Sequence, residues 1–168
     1  MDRLFVSVIG NPNTGKSETW NRLFGTTVRT GQNARHLKLY GGECADVFLI
    51  SGSFEERNKY AGEILDNQNC RIILCSTQYR APQDTSLAYA VEHGFDIFAQ
   101  WLNPGWSDLA VMAFDKHGIM PWLLARQATV SIRDGHVTPP TKRVEEIRQF
   151  VFGWAKARGL TFPCPPNA

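Results

Sequence analysis

The run Gly10-Asn11-Pro12-Asn13-Thr14-Gly15-Lys16-Ser17 has the spacing G-x-x-x-x-G-K-[ST]. Each fixed residue type suits the binding of phosphate. Gly10 and Gly15 allow backbone angles that a side chain forbids, so the loop can turn its N–H groups inward on an anion. Lys16 is placed to reach the β- and γ-phosphates, and Ser17 offers a hydroxyl to Mg²⁺. The expected phosphate contacts are Gly10, Asn11, Asn13, Thr14, Gly15, Lys16, Ser17 and Glu18. The expected ligand is ATP or GTP with Mg²⁺ as cofactor.

Such a loop works only between a strand and a helix. Leu4–Gly10 is a short, β-branched apolar run ending in glycine, as in a central parallel strand. Lys16–Phe24 follows with helical character, and Gly25 stands at the C-cap position. Further on, His36–Tyr40 and Ala45–Ser51 suggest two strands joined in a hairpin around Gly41-Gly42. Cys70–Ser76, Phe95–Leu102 and Ala128–Arg133 suggest three more strands. Helices are expected over Phe54–Asp66, from Asp84 or Thr85 to His93, over Ser107–Lys116 and over Lys142–Arg158. Alternating apolar strands and helices imply an α/β fold, a mostly parallel sheet covered on both faces. Ligands then bind beyond the carboxyl ends of the strands, where the Gly10–Ser17 loop lies. One domain over residues 1–160 is expected, with 161–168 a loose, proline-rich tail.

The segment Gly10–Gly25 (GNPNTGKSETWNRLFG) resembles the first nucleotide-binding motif of Era- and FeoB-like, translation-factor-class GTPases, commonly GNPNxGKSxxxNxLxG. The resemblance covers about a tenth of the chain. It implies a three-layer P-loop NTPase fold with a Ras-like strand order and NTP hydrolysis by in-line attack of water on the γ-phosphate. Slow hydrolases of this kind act as switches, so a protein partner is also implied. Three family features are missing. Only Thr27 and Thr30 could supply the switch threonine. Ile50-Ser51-Gly52-Ser53 stands where Asp-x-x-Gly is expected, and Asn103-Pro104-Gly105-Trp106 where Asn-Lys-x-Asp is expected. Asn103 is then the one base-binding candidate, and guanine preference is not supported.

Glu55 or Glu56, just after the third strand, could replace the missing carboxylate, or both could form the acidic first turn of a helix. Arg80, in Ser76–Arg80, could clamp a phosphoryl acceptor with Asp84 as base, since small-molecule P-loop kinases carry a somewhat similar Tyr-Arg. It could equally be a surface turn before Pro82. Lys16, Glu55 and Arg80 are thus the candidates for the chemistry. Arg126 and Arg133 could act as charge-stabilising fingers, and Trp101 and Trp106 could stack on a base. A kinase and a non-catalytic nucleotide-binding module remain the alternatives to an NTPase.

Composition sets outer bounds. The 168 residues are 43% hydrophobic, 20% charged and 11% aromatic, with a net charge of +2, so no nucleic-acid surface is indicated. No apolar run approaches the ~20 residues of a membrane span. Met1–Gly10 does not have a signal-peptide pattern, and Cys44, Cys70, Cys75 and Cys164 form no metal-type spacing with the four histidines. Reduced thiols in a cytoplasmic protein are expected.

Overall fold

β1 (Leu4–Gly10) is buried along its whole length, as a strand must be when both its faces and both its edges are covered. In the computed structural model, which describes Met1–Ala168, its neighbours are β4 (Ile72–Gln78) and β5 (Asp96–Leu102), both parallel to it. β3 (Glu43–Ile50) continues the parallel sheet beyond β4, and β6 (Thr129–Arg133) beyond β5. β2 (Arg35–Lys38) joins β3 as an antiparallel hairpin, and β7 (Phe162–Pro163) pairs with the start of β3. The result is a seven-stranded, mostly parallel sheet in the order β2-β3-β4-β1-β5-β6, with β7 attached to β3.

The alternation of side chains along β1 assigns two cores. Leu4, Val6 and Val8 pack with Trp20 and Leu23 of α1 (Lys16–Phe24) and with Val144, Ile147 and Val151 of α5 (Thr141–Ala157). Phe5 and Ile9 belong to the opposite face. There Leu65 of α2 (Gly62–Leu65), Leu87 of α3 (Ser86–Glu92) and Leu123 of α4 (Ile119–Leu124) cover the sheet. Helices therefore lie on both faces, as expected. Buried polar groups are paired across these layers: Trp20 Nε1 donates to Ser76 Oγ at 2.8 Å, and Ser7 Oγ donates to Thr77 Oγ1 at 2.7 Å.

The Ras-like strand order is not borne out, because β4 stands between β3 and β1. β4 is buried throughout and matches β1 residue for residue from Ile72 to Gln78, whereas β3 has only Phe48–Ile50 in parallel register with β4. An apolar run reads as buried but does not say which strand it adjoins.

Other expectations also change. The helix over Phe54–Asp66 shrinks to Gly62–Leu65, since the chain turns at Asn58, whose φ is 51°. Ser107–Lys116 is not a helix. Asp108 accepts from the Gly105 N–H at 2.9 Å instead of capping, and Leu109, Val111, Met112 and Phe114 are all exposed, so the segment has no face to bury. The helix forms later, where Asp115 accepts from Ile119 and Met120 N–H at 3.1 and 2.9 Å.

The tail is not loose. Phe162–Pro163 pairs with Glu43–Cys44, and Cys164 forms a disulfide with Cys44, so two of the four expected thiols are oxidised. No helix is long and apolar enough to cross a membrane. The bridge spans a sequence separation of 120, which makes its restriction of the unfolded chain large. Replacing Cys44 and Cys164 together by Ser should lower the unfolding free energy by about 2–4 kcal/mol, read as a lower urea midpoint. An unchanged midpoint would contradict this role.

Candidate functional site

The turn from β1 to α1 is shaped by close packing around Thr14. A Cβ at Gly10 would lie 2.2 Å from Thr14 Oγ1, so nothing larger than glycine fits there. Thr14 Oγ1 donates back to Asn11 O at 2.8 Å. Asn13 and Gly15 take positive φ values of 59° and 100°, which turns successive N–H groups to one side. The backbone N–H groups of Asn13, Thr14, Gly15, Lys16, Ser17 and Glu18 donate to no acceptor in the protein. The same residues line a cavity of about 260 Å³ whose other walls are Ser51, Gly52 and Glu56. The N-terminal dipole of α1 adds positive potential at the same place.

Lys16 is only 6% exposed and folds over its own loop, donating to Gly10 O at 3.1 Å and Asn11 O at 2.7 Å. Burial lowers its pKa, opposed by the nearby charges of Glu56, Glu55 and Asp108. Ser17 is exposed on the wall of the cavity. Asn11 reaches Asp108 Oδ1 at 3.5 Å. The expected phosphate contacts are therefore held together, and Asn13, Thr14, Gly15, Lys16, Ser17 and Glu18 line the cavity itself.

The loops after β5 and β6 clamp this turn. Trp106 N–H donates to Thr14 O at 2.9 Å, and Gly135 N–H donates to Pro104 O at 2.7 Å. A Cβ at Gly105 would meet Thr14 Cβ and Cγ2 at 2.3 Å, and one at Gly135 would meet Thr14 O and Trp106 N at 3.0 Å. Behind the clamp, Arg143 of α5 is only 5% exposed. Its Nη1 donates to Val137 O at 3.3 Å and its Nε to Thr19 Oγ1 at 3.4 Å. Burial lowers its pKa, against the opposing charges of Glu18 and Asp134. Arg143 opens into a second cavity, about 280 Å³, which it shares with Trp106, Thr138, Gly15 and Glu18.

Several sequence candidates move. Glu55 is not free for chemistry. Its carboxylate is buried and accepts from Ser86 N–H at 2.8 Å and Gln78 N–H at 3.5 Å, joining the end of β4 to the start of α3. Burial raises its pKa, and these N–H donors hold the rise back. Glu56 is the carboxylate on the cavity wall, held by the Gln78 side-chain amide. Asn103 cannot read a base. It is buried, and its amide accepts from Ala113 N–H at 2.8 Å and donates to Ala113 O at 2.9 Å. Both ends of that side chain serve to pin the loop after β5.

Arg80 is exposed and does not line the cavity at Gly10–Ser17; it borders a third space of about 340 Å³ with Asp84. Arg126 covers the Trp122 ring and Arg133 pairs with Glu146, so neither is a finger over the loop. Trp101 is core, stacked on Tyr79 at 4.8 Å, whereas Trp106 is 56% exposed in the second cavity. Thr30 Oγ1 accepts from Ser51 and Gly52 N–H at 2.9 and 3.4 Å, which fixes the cavity wall formed by those two residues.

Arg143 and the glycine clamp were invisible to motif spacing. The only hint of Arg143 is a charge one residue before the apolar stripe of α5 begins at Val144. No family model, curated protein or solved structure matches the chain.

Two outcomes follow. Gly105→Ala should destabilise the protein by about 1–3 kcal/mol through overpacking on Thr14, with a matching fall in denaturation midpoint. Wild-type stability should also decline as pH rises from the usual carboxylate range, near ~4.3 for glutamate, through the raised pKa of Glu55. Across that window the unfolded chain releases the Glu55 proton first, so the folded state binds more protons and loses ground. Glu55→Gln should remove this part of the slope in urea midpoints measured across pH. A variant with the wild-type slope would show that another group titrates.

Proposed function

We propose that the chain binds a nucleoside triphosphate with Mg²⁺ at Gly10–Ser17 and hydrolyses it slowly. The observation behind this reading is the row of six N–H groups without a protein acceptor, Asn13–Glu18, in residues that line one cavity with Ser51, Gly52 and Glu56. A row of this kind suits phosphate oxygens, which accept charge-assisted hydrogen bonds.

The flanking spaces give the ligand a direction. The second cavity shares Gly15 and Glu18 with the cradle and is walled by Trp106 and Arg143, which suits a nucleoside. The γ-phosphate then points to the other side, toward Lys16, Ser51 and Glu56. Ser17 Oγ on the loop side and the Glu56 carboxylate on another wall are hard oxygen donors to one cavity, which would suit Mg²⁺. When bound, that ion neutralises charge on the β- and γ-oxygens.

Lys16 exchanges its two loop carbonyls for phosphate oxygens, and the loop amides hold the phosphate chain. Glu56 orients a water and takes its proton as the water oxygen bonds to the γ-phosphorus. The bridging P–O bond breaks, and its electron pair leaves on the nucleoside diphosphate, stabilised by the amides and Lys16. A switch of this type implies a protein partner. The exposed apolar run Leu109, Val111, Met112 and Phe114, beside Trp106, is the surface that supports one.

Thermal unfolding with Mg²⁺ and ATP, GTP, ADP or GDP tests the reading. At ligand about 100-fold above Kd, stabilisation should be about 2.7 kcal/mol, and Lys16→Ala should lose it. Phosphate release without an acceptor should fall about 10²-fold in Glu56→Gln. No shift with any of the four nucleotides would overturn the proposal.

A further inference from the structure

We infer that Arg143 binds the α-phosphate of the nucleotide, a contact that joins the nucleoside cavity to the phosphate cradle. This rests on the nucleotide-binding reading above. Lys16 and Arg143 are the two cations buried in the chain, and neither has an ion pair. A buried charge left without a counter-charge is costly. Both of these stand at the same loop: Lys16 lines the cradle, and Arg143 lines the cavity beside it, which shares Gly15 and Glu18 with the cradle.

The Arg143 fork has one free arm. Its Nε donates to Thr19 Oγ1 at 3.4 Å and its Nη1 to Val137 O at 3.3 Å, whereas Nη2 donates to no acceptor in the protein. The backbone is held as well, since Gln100 Nε2 donates to Arg143 O at 2.9 Å. Gln100 Oε1 is the one side-chain polar atom sealed from solvent without a partner, so Nη2 is not sealed. The space that Arg143 borders is the second cavity, of about 280 Å³.

The free arm is placed at the boundary between the two spaces. Nη2 lies 3.3 Å from the point that a Cβ on Gly15 would occupy. Thr19 links the two residues, because its Oγ1 accepts from Arg143 Nε and donates to Gly15 O at 2.9 Å. The guanidinium is thus oriented before any ligand arrives, and little freedom is lost on binding.

The ligand group at that boundary follows from the order of the phosphates. With the nucleoside in the second cavity and the γ-phosphate toward Ser51 and Glu56, the α-phosphate is the group beside Gly15. Its oxygens only accept and the guanidinium only donates, which makes a charge-assisted pair. Glu18 borders the same space and opposes an anion. Its side chain is exposed, however, so water screens its charge, while Arg143 is buried and screened far less.

The two non-bridging oxygens of the α-phosphate are distinguishable, and one of them is the Arg143 acceptor. The test uses the full chain with Mg²⁺ and whichever of ATP and GTP gives the larger thermal shift. That nucleotide is compared with its Rp and Sp α-thio forms by titration calorimetry. Sulfur is a weak acceptor, so wild type should bind one diastereomer about 10-fold less tightly than the other. Arg143→Gln should bind the parent triphosphate about 10- to 100-fold less tightly, as for a lost charged hydrogen bond, and should bind the two thio forms alike. Arg143→Lys keeps the buried charge but not the fork, so it serves where the Gln variant does not fold, and the same loss of preference is expected. Equal binding of the two diastereomers by wild type overturns the contact, as does a preference that survives in the variants even when affinity falls; nucleotide binding then still stands. No thermal shift in wild type with either triphosphate overturns both readings.

Discussion

The β1–α1 turn holds its N–H groups outward because Thr14 is wedged where only glycines can surround it. Gly10 and Gly105 each approach its side chain more closely than a methyl group permits, and Gly135 presses on its carbonyl. The wedge is fixed by hydrogen bonds at both ends, Oγ1 to Asn11 O and its carbonyl to Trp106 N–H. The amides from Asn13 to Glu18 are left without a protein acceptor. An arrangement with so many unpaired donors is unfavourable by itself. It persists because the loops after β5 and β6 hold the turn through Gly105, Trp106 and Gly135.

Electrostatics around the turn are balanced in the same spirit. Lys16 is buried, which disfavours its charge, yet three carboxylates act on it and two carbonyls receive its protons. An anion in the cradle would add the charge that burial removes, so ligand and lysine stabilise one another. Arg143 stands in a similar position on the far side, buried beside Gly15 with Glu18 and Asp134 opposing the effect of burial. Glu55 differs from both. Its carboxylate is spent on the start of α3, and its neighbour Glu56 is the one that meets the cradle.

The loop and its flanks were legible because their cause is local. Glycine spacing, a β-branched run and a helix with a glycine cap all lie within Leu4–Gly25, and β1, α1 and the αL cap at Gly25 form as expected. Strand order was not legible, since β3 and β4 both carry apolar runs and only long-range register places β4 beside β1. Ser107–Lys116 misled because Asp108 and Ser107 look like caps, whereas Asn103, ten residues before Ala113, holds the segment in an irregular path. Asn103 and Glu55 misled in one further way. Each has the residue type for chemistry, and each has its polar atoms consumed by backbone partners that only the tertiary structure reveals. Arg143 and Gly135 entered the site from more than a hundred residues away, beyond the reach of any spacing rule.

The bond between Cys44 and Cys164 also divides the molecule by its covalent connectivity. It closes a ring that runs from the start of β3 to β7 and contains α2 through α5. β1, α1 and β2 lie outside the ring, although β1 is the middle of the sheet, seated between β4 and β5. A nick anywhere in the ring leaves its two pieces joined, whereas a nick between α1 and β3 leaves the Gly10–Ser17 loop with no covalent link to the loops after β5 and β6 that clamp it. The ring is a frame with a slot along its centre, and the segment from β1 to α1 is the key held in that slot by packing and hydrogen bonds alone.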